Sequence, residues 1–178
     1  MKSEKEKMIS GELYYSNDPE LKKLREKARK LSKKFNNRPN KKVLEKLFNK
    51  KLENTYIEPP FHCDYGFNID LGEKTYMNFN CIILDCAKVI IGNNTLFAPN
   101  VQIYTATHPL DATTRNSEQE YAKPISIGEN CWIGGGAIIL PGVEIGDNCV
   151  IGAGSVVNKS IPSNSMAAGN PCKVIKAI

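Results

Sequence analysis

The sequence predicts an all-β solenoid of short parallel strands preceded by a helical segment, and three observations predict it. From Ile125 to Ser160 the chain repeats every six residues, as ISIGEN, CWIGGG, AIILPG, VEIGDN, CVIGAG and SVVNKS. The third place of each unit is aliphatic: Ile127, Ile133, Ile139, Ile145, Ile151 and Val157. Glycine often follows in the fourth place, at Gly72, Gly92, Gly128, Gly134, Gly146 and Gly152. Side chains alternate along a strand, so an aliphatic third residue points inward between outward neighbours. The glycine is expected to supply a corner conformation that a Cβ disfavours. Each unit is then one strand and one corner, and three make a triangular coil that buries apolar surface only when stacked. The same frame reads IDLGEK, TYMNFN, CIILDC from Ile69 and VIIGNN, TLFAPN, VQIYTA from Val89. An antiparallel sandwich fits poorly, because its strands recur every 8–12 residues or so.

The elements follow in chain order. Leu21, Leu24, Ala28, Leu31 and Phe35 fall on one face of a helix that Asn17 or Asp18 caps, Pro19 opens and Glu20 complements electrostatically. A second helix is expected from about Lys41 to Lys51, with Val43, Leu44, Leu47 and Phe48 as its apolar face. Residues 1–55 therefore read as a helical cap on the open end of the solenoid, and 56–178 as the repeat domain with a tail at 161–178. One interruption, Thr107 to Pro124, carries no hexapeptide signal and is expected to be an extruded loop.

Charge is divided unevenly in this 178-residue chain of net charge +5. Residues 1–51 hold 17 Lys+Arg against 7 Asp+Glu, a net of +10, and the remainder holds 7 against 12, a net of −5. The helical pattern assigns the lysines to a solvated face, so no nucleic-acid partner is expected. MKSEKEKMIS lacks the apolar stretch of a secretory signal, and no run is long enough to cross a membrane. A cytoplasmic protein with six free, mostly buried cysteines is the expectation, since no CxxC pair occurs. His62 and Cys63 are chain neighbours on an extended segment and point apart, which argues against a thiol nucleophile. The only other histidine, His108, stands at the root of the long loop, where a group that titrates near neutral pH suits a general base.

These motifs bear a family likeness. EKEKMISGELYYSND, YIEPPFHCDYGFNI, MNFNCIILD, APNVQIYTATHPLD, KPISIGENCWIGGGAIILPGVEIGDN and AAGNPCKVIKAI together resemble the maltose/galactoside O-acetyltransferases among the hexapeptide-repeat acyltransferases, and TATHP with the helical start narrows the resemblance to that family. The resemblance implies a left-handed parallel β-helix, a homotrimer, and transfer of the acetyl group of acetyl-CoA to a hydroxyl of a sugar such as maltose or glucose. It implies His108 as the base that takes the acceptor proton. It places the Gly135 N–H and Asn78 on the acetyl-CoA side, and Ala153, Asn158 and Lys159 along the pantetheine groove. Lys173 and Lys176 correspond to basic residues near the nucleotide phosphates. The chain has Asn158-Lys159 where relatives carry Thr-Lys, and tail lysines where others have arginine, which weakens a bidentate phosphate contact. Asp18, Asp64 and Asp85 match acceptor-side positions, with Asp18 equally readable as a helix cap. The galactoside branch differs at Asp64 and just after Asp85, which favours the maltose side. Trp132 and Tyr76 either flank the cleft or are surface aromatics.

No metal is expected, because a zinc hydratase on such a solenoid needs about three histidines. The alternatives are a related enzyme acting on another hydroxyl acceptor, such as a galactoside, another saccharide or a xenobiotic, and a non-catalytic scaffold. The scaffold has no need of His108 on an extruded loop.

Overall fold

In a computed structural model that describes residues 1–178, the repeats wind into a parallel solenoid of triangular section. The first face stacks Ile69–Leu71, Val89–Ile91, Ile125–Ile127 and Glu144–Ile145. The second stacks Tyr56–Ile57, Tyr76–Met77, Leu96–Phe97, Trp132–Ile133, Val150–Ile151 and Ser165–Ala168, and Lys173–Ala177 closes it antiparallel. The third stacks Phe61–Cys63, Cys81–Leu84, Gln102–Tyr104, Ile138–Ile139 and Val156–Val157. Register keeps the third-place residues aligned from coil to coil, as in Leu71, Ile91, Ile127 and Ile145. Burying each such aliphatic contributes about 1.5–3 kcal/mol.

The first residue of each hexapeptide also points inward. Ile69, Val89, Ile125 and Val143 do so toward the first face. On the second face this place holds Thr75, Thr95, Cys131 and Cys149, whose hydroxyls and thiols donate to the carbonyls of Gly72, Gly128, Gly146 and Pro162. Two cysteines thus act as small donors that satisfy corner carbonyls. All six are free and buried, and burial raises the Cys63 thiol well above its ordinary value.

The corner departs from the sequence expectation. The fourth-place glycines do not adopt positive φ; the left-handed residue is in the sixth place, at Lys74, Asn80, Asn94, Asn100, Asn130, Gly136, Gly142 and Asn148. Glycine occupies the fourth place because coils approach too closely for a side chain. A Cβ on Gly92 would lie 2.6 Å from the Gly128 carbonyl carbon.

Four helices decorate this core. α1 (Glu4–Ser10), which the sequence reading lacked, starts on a Ser3–Glu6 capping box and ends at Gly11 with φ 76°. α2 (Pro19–Asn37) is capped by Asp18, which accepts from the Glu20 and Leu21 N–H groups, and buries Leu21, Ala28, Ser32 and Phe35. α3 (Lys41–Phe48) buries Val43, Leu44, Leu47 and Phe48. The α3 side chains, with Ala28 and Phe35 of α2, join one continuous core with the first coils, where Phe48 meets Phe61 edge-on at 5.8 Å. α4 (Ala112–Asn116) lies in the extruded loop. No helix is long and apolar enough to cross a membrane.

Candidate active site

The extruded segment is an ordered ribbon. Ala106–Thr107 pairs antiparallel with Gln119–Ala122, which pairs in turn with Tyr14–Tyr15 from the N-terminal segment. A second, smaller core of Met8, Tyr14, Leu21, Tyr65, Cys86, Ala87 and Ala122 anchors the ribbon to the solenoid. The ribbon presents His108, whose side chain is 56% exposed and whose Nε2 lies 3.6 Å from Glu120 Oε2. Glu120 Oε1 accepts a 2.6 Å hydrogen bond from the Tyr14 hydroxyl, and Tyr14 is completely buried. Burial drives the Tyr14 phenol far above its ordinary value, aided by Cys86 and Glu120, so Tyr14 remains a donor.

Behind this lies a compact polar cluster. The Asp64 carboxylate accepts from the Cys86 thiol at 3.7 Å, and burial raises the Asp64 pKa while Cys86 and Arg25 oppose that rise. Burial likewise raises the Cys86 thiol, with Asp64 adding to it, so Cys86 stays protonated and donates. Arg25 donates to the Tyr65 hydroxyl at 2.6 Å and to the Ser16 carbonyl at 2.7 Å, joining α2 to the loop that carries Asp64.

Asp85, expected to bind the acceptor, is completely buried. Its carboxylate accepts from the backbone N–H groups of Asp64, Tyr65 and Asn68, so it shapes the loop that displays Asp64 and offers no oxygen to solvent. Burial pushes its carboxyl up to about 7, with the backbone donors pulling it back. The Asp18 carboxylate is engaged as the α2 cap.

The remaining expected residues fall on two edges of the prism. His108, Asp64, Asp85, Asn158 and Lys159 belong to the edge between the third and first faces, and Asn158 and Lys159 are exposed there. Asn78, Gly135 and Ala153 belong to the edge between the second and third faces. On that edge the Gly135 and Ala153 N–H groups donate to no acceptor in the chain, although their neighbours Gly134, Gly136, Gly152 and Gly154 all donate. Between the first and second faces, by contrast, the N–H groups of Glu73, Glu129 and Asp147 are met by side chains of the next coil. Gly135 is not the left-handed corner residue, since that role falls to Gly136. Asn78 accepts from the Phe79 N–H at 2.8 Å through its side-chain oxygen. Lys173 and Lys176 are exposed on the terminal antiparallel strand, opposite Ala168 and Met166. One face also carries an outward apolar ladder: Tyr56, Tyr76, Leu96, Trp132, Val150 and Met166 stand in register, with Trp132 55% exposed.

Sequence reasoning missed Glu120, Tyr14 and Arg25. The signal for Glu120 was weak, because one carboxylate in SEQEYAK stands out only once its strand partner is known.

Residues 124–159 match the family profile described as bacterial transferase hexapeptide (six repeats), and residues 7–51 match that of the maltose acetyltransferase hexapeptide capping motif. The chain is 55% identical to a putative acetyltransferase of Dictyostelium discoideum over 99% of its own length and 95% of the relative's. Among solved structures it is similar to a maltose O-acetyltransferase from Clostridium difficile 630, with 53% identity, a TM-score of 0.97 and coverage of 99% and 98% of the two chains. It is also similar to a galactoside acetyltransferase in complex with coenzyme A, with 40% identity, a TM-score of 0.94 and coverage of 100% and 92%.

Proposed function

The chain belongs to the maltose/galactoside O-acetyltransferase family of hexapeptide-repeat acyltransferases, and on that premise we propose that it moves the acetyl group of acetyl-CoA to a hydroxyl of a sugar such as maltose or glucose, with His108 as the general base. The observation that carries this reading is the pair of complementary edges. One bears an exposed histidine beside acidic side chains, and the other bears two stacked, unpartnered backbone N–H groups.

The chemistry follows from those groups. His108 takes the proton of the acceptor hydroxyl as its oxygen attacks the thioester carbonyl, a contribution of ~10²–10⁴ in rate. Charge then develops on the carbonyl oxygen, and the fixed Gly135 N–H meets it at no cost of reorientation, which is worth about 3–4 kcal/mol for a well-placed donor. Collapse of the adduct expels the CoA sulfur, which receives the proton from the imidazolium. The Ala153 N–H, one coil along, suits an amide carbonyl of the pantetheine arm, and Asn158 and Lys159, on the opposite edge, border the groove from the neighbouring copy that brings its His108 edge to it. Lys173 and Lys176 supply positive charge for the nucleotide phosphates. Asp64 accepts from acceptor hydroxyls, with Asp85 shaping its loop and Asp18 holding α2 beside it.

The two edges argue for a homotrimer. Some five residues of extended chain, about 3.3 Å each, cross the third face, so His108 and Gly135 of one chain stand on the order of 15 Å apart at their roots. A neighbouring copy that presents its own Gly135 edge to the His108 ribbon closes that gap. The apolar ladder from Tyr56 to Met166 is the strip such packing covers, since a threefold ring joins two different patches of each subunit and leaves neither exposed.

Acetyl-CoA turnover with a panel of sugars, read as free thiol, tests the activity. Release of CoA that depends on maltose or glucose is the expected result. Turnover only with a galactoside or a non-sugar alcohol would transfer the reading to another acceptor, and binding of acetyl-CoA without turnover on any hydroxyl would leave a scaffold.

A further inference from the structure

The ribbon that carries His108 contains a second group placed to act on it. Register pairs Thr107 with Tyr121, so one step further along the antiparallel ladder sets His108 opposite Glu120. Glu120 Oε2 faces His108 Nε2 at 3.6 Å, and the Glu120 side chain is only 16% exposed. Its other oxygen is held by the Tyr14 hydroxyl, and Tyr14 itself stands opposite Glu120 on the next strand of the ribbon. No lysine or arginine forms an ion pair with Glu120; the nearby Arg25 is engaged by Tyr65 and Ser16.

We propose that Glu120, fixed by Tyr14, is the positioning residue of His108: it holds the facing ring nitrogen as an N–H donor and so leaves the opposite nitrogen, Nδ1, to take the acceptor proton. The inference rests on His108 being the base. A carboxylate only accepts hydrogen bonds, so the ring nitrogen turned toward it must carry hydrogen. The imidazolium formed when Nδ1 gains the proton is stabilised by the same carboxylate, and the proton then leaves to the CoA sulfur while Nε2–H stays in place. Tyr14 prevents Glu120 from rotating toward solvent, since its phenol is buried and remains a donor. The groups that face Glu120 are His108, Tyr14, Cys86, Asp64 and Arg25, so its charge is balanced by one guanidinium already engaged by Tyr65 and Ser16 and by the histidine when protonated. The N-terminal segment thereby reaches the reacting centre through a single side chain.

The test is a set of variants on the full chain. Glu120→Gln lowers kcat about 10–100-fold and leaves the KM for acetyl-CoA within about twofold, the range seen when the partner of a functional histidine is removed. Tyr14→Phe lowers kcat less, about 3–10-fold. The double variant is no slower than Glu120→Gln, because Tyr14 acts through Glu120. ¹⁵N spectra of the His108 ring show one tautomer, protonated at Nε2, in the parent chain and a mixture in Glu120→Gln, and this readout needs no turnover. Wild-type kcat in folded Glu120→Gln overturns the proposal, as does a double variant whose loss is the product of the two single losses, or a ring protonated at Nδ1. Should Glu120→Gln fail to fold, Tyr14→Phe and the parent spectrum still decide it. A fully active His108→Ala variant would instead overturn the assignment of the base.

Discussion

Tyr14 and Glu120 are 106 residues apart in sequence, stand directly opposite each other in an antiparallel pair, and are joined by a 2.6 Å hydrogen bond between side chains. The segment before the first long helix is therefore part of the wall behind His108. Its small core of Met8, Tyr14, Leu21 and Ala122 secures a ribbon that would otherwise hang free of the solenoid.

Replacing His108 with Ala is expected to lower kcat by ~10²–10⁴ with little change in the KM for acetyl-CoA, because the base acts in the transition state. The side chain is 56% exposed, so thermal stability is expected to stay near that of the parent. Steady-state kinetics beside a melting curve separates the effects; a folded variant that keeps more than about a tenth of the activity would move the base elsewhere.

Gly92→Ala and Gly136→Ala distinguish the two kinds of corner glycine. A Cβ on Gly92 lies 2.6 Å from the backbone of the next coil, and separating two coils is expected to cost about 1–3 kcal/mol or more. Gly136 has φ 67° and open space around it, so alanine costs about 1–2 kcal/mol and asparagine less, as in the coils where asparagine already fills the place. Urea unfolding of the three variants checks the order; Gly136→Ala as the most damaging change would overturn this account of the corner.

Asp85 links stability to pH. Its carboxyl is raised to about 7 in the fold, against about 3.9 in the unfolded chain. Between those values the native state keeps a proton that the unfolded state has lost, so this group's contribution falls as pH rises from about 4 to 7, by at most about 1.4 kcal/mol per pH unit. Asp64 is shifted the same way. Asp85→Asn is expected to be less stable throughout, since an amide keeps one acceptor oxygen for the Asp64 and Tyr65 N–H groups but turns its NH2 donors toward that of Asn68, and its deficit is expected to shrink as pH rises. Unfolding midpoints at several pH values and one protein concentration measure this, and a deficit that grows toward pH 7 contradicts it.

Leu96→Asp probes the proposed subunit contact. Leu96 points outward between Tyr76 and Trp132, so a carboxylate there leaves the aliphatic core intact while breaking the ladder. Sedimentation is expected to show trimer in the parent and monomer in the variant, with acetyl transfer lost in parallel. A variant that stays trimeric would put the interface on another face.

The solenoid was legible because a single rule, six residues per strand and corner, acts locally and repeats, and the helices of the cap were legible from the spacing of Leu21, Ala28 and Phe35. The corner was half read. Glycine in the fourth place was visible, but its cause is contact with the next coil, and the asparagines at 80, 94, 100, 130 and 148 already marked the true left-handed position. His108 stood out by rarity and location. The Tyr14–Glu120 pair did not, since pairing across 106 residues leaves no periodic trace in a chain read locally. Asp85 shows the opposite limit, because an aspartate in a motif looks the same whether it faces a ligand or three backbone donors.

The antiparallel strand Lys173–Ala177 also decides how long the solenoid can become. Parallel coils end in bare N–H and C=O rows, and a rod with two bare ends would add further molecules end to end without limit. At the start, α2 and α3 lie across the first coils. At the finish, the chain folds back against its own last rung, reversing direction and placing Lys173 and Lys176 along the outermost rim. An incoming parallel rung on that face meets a reversed strand and two ammonium groups, which disfavours end-to-end growth of the stack there.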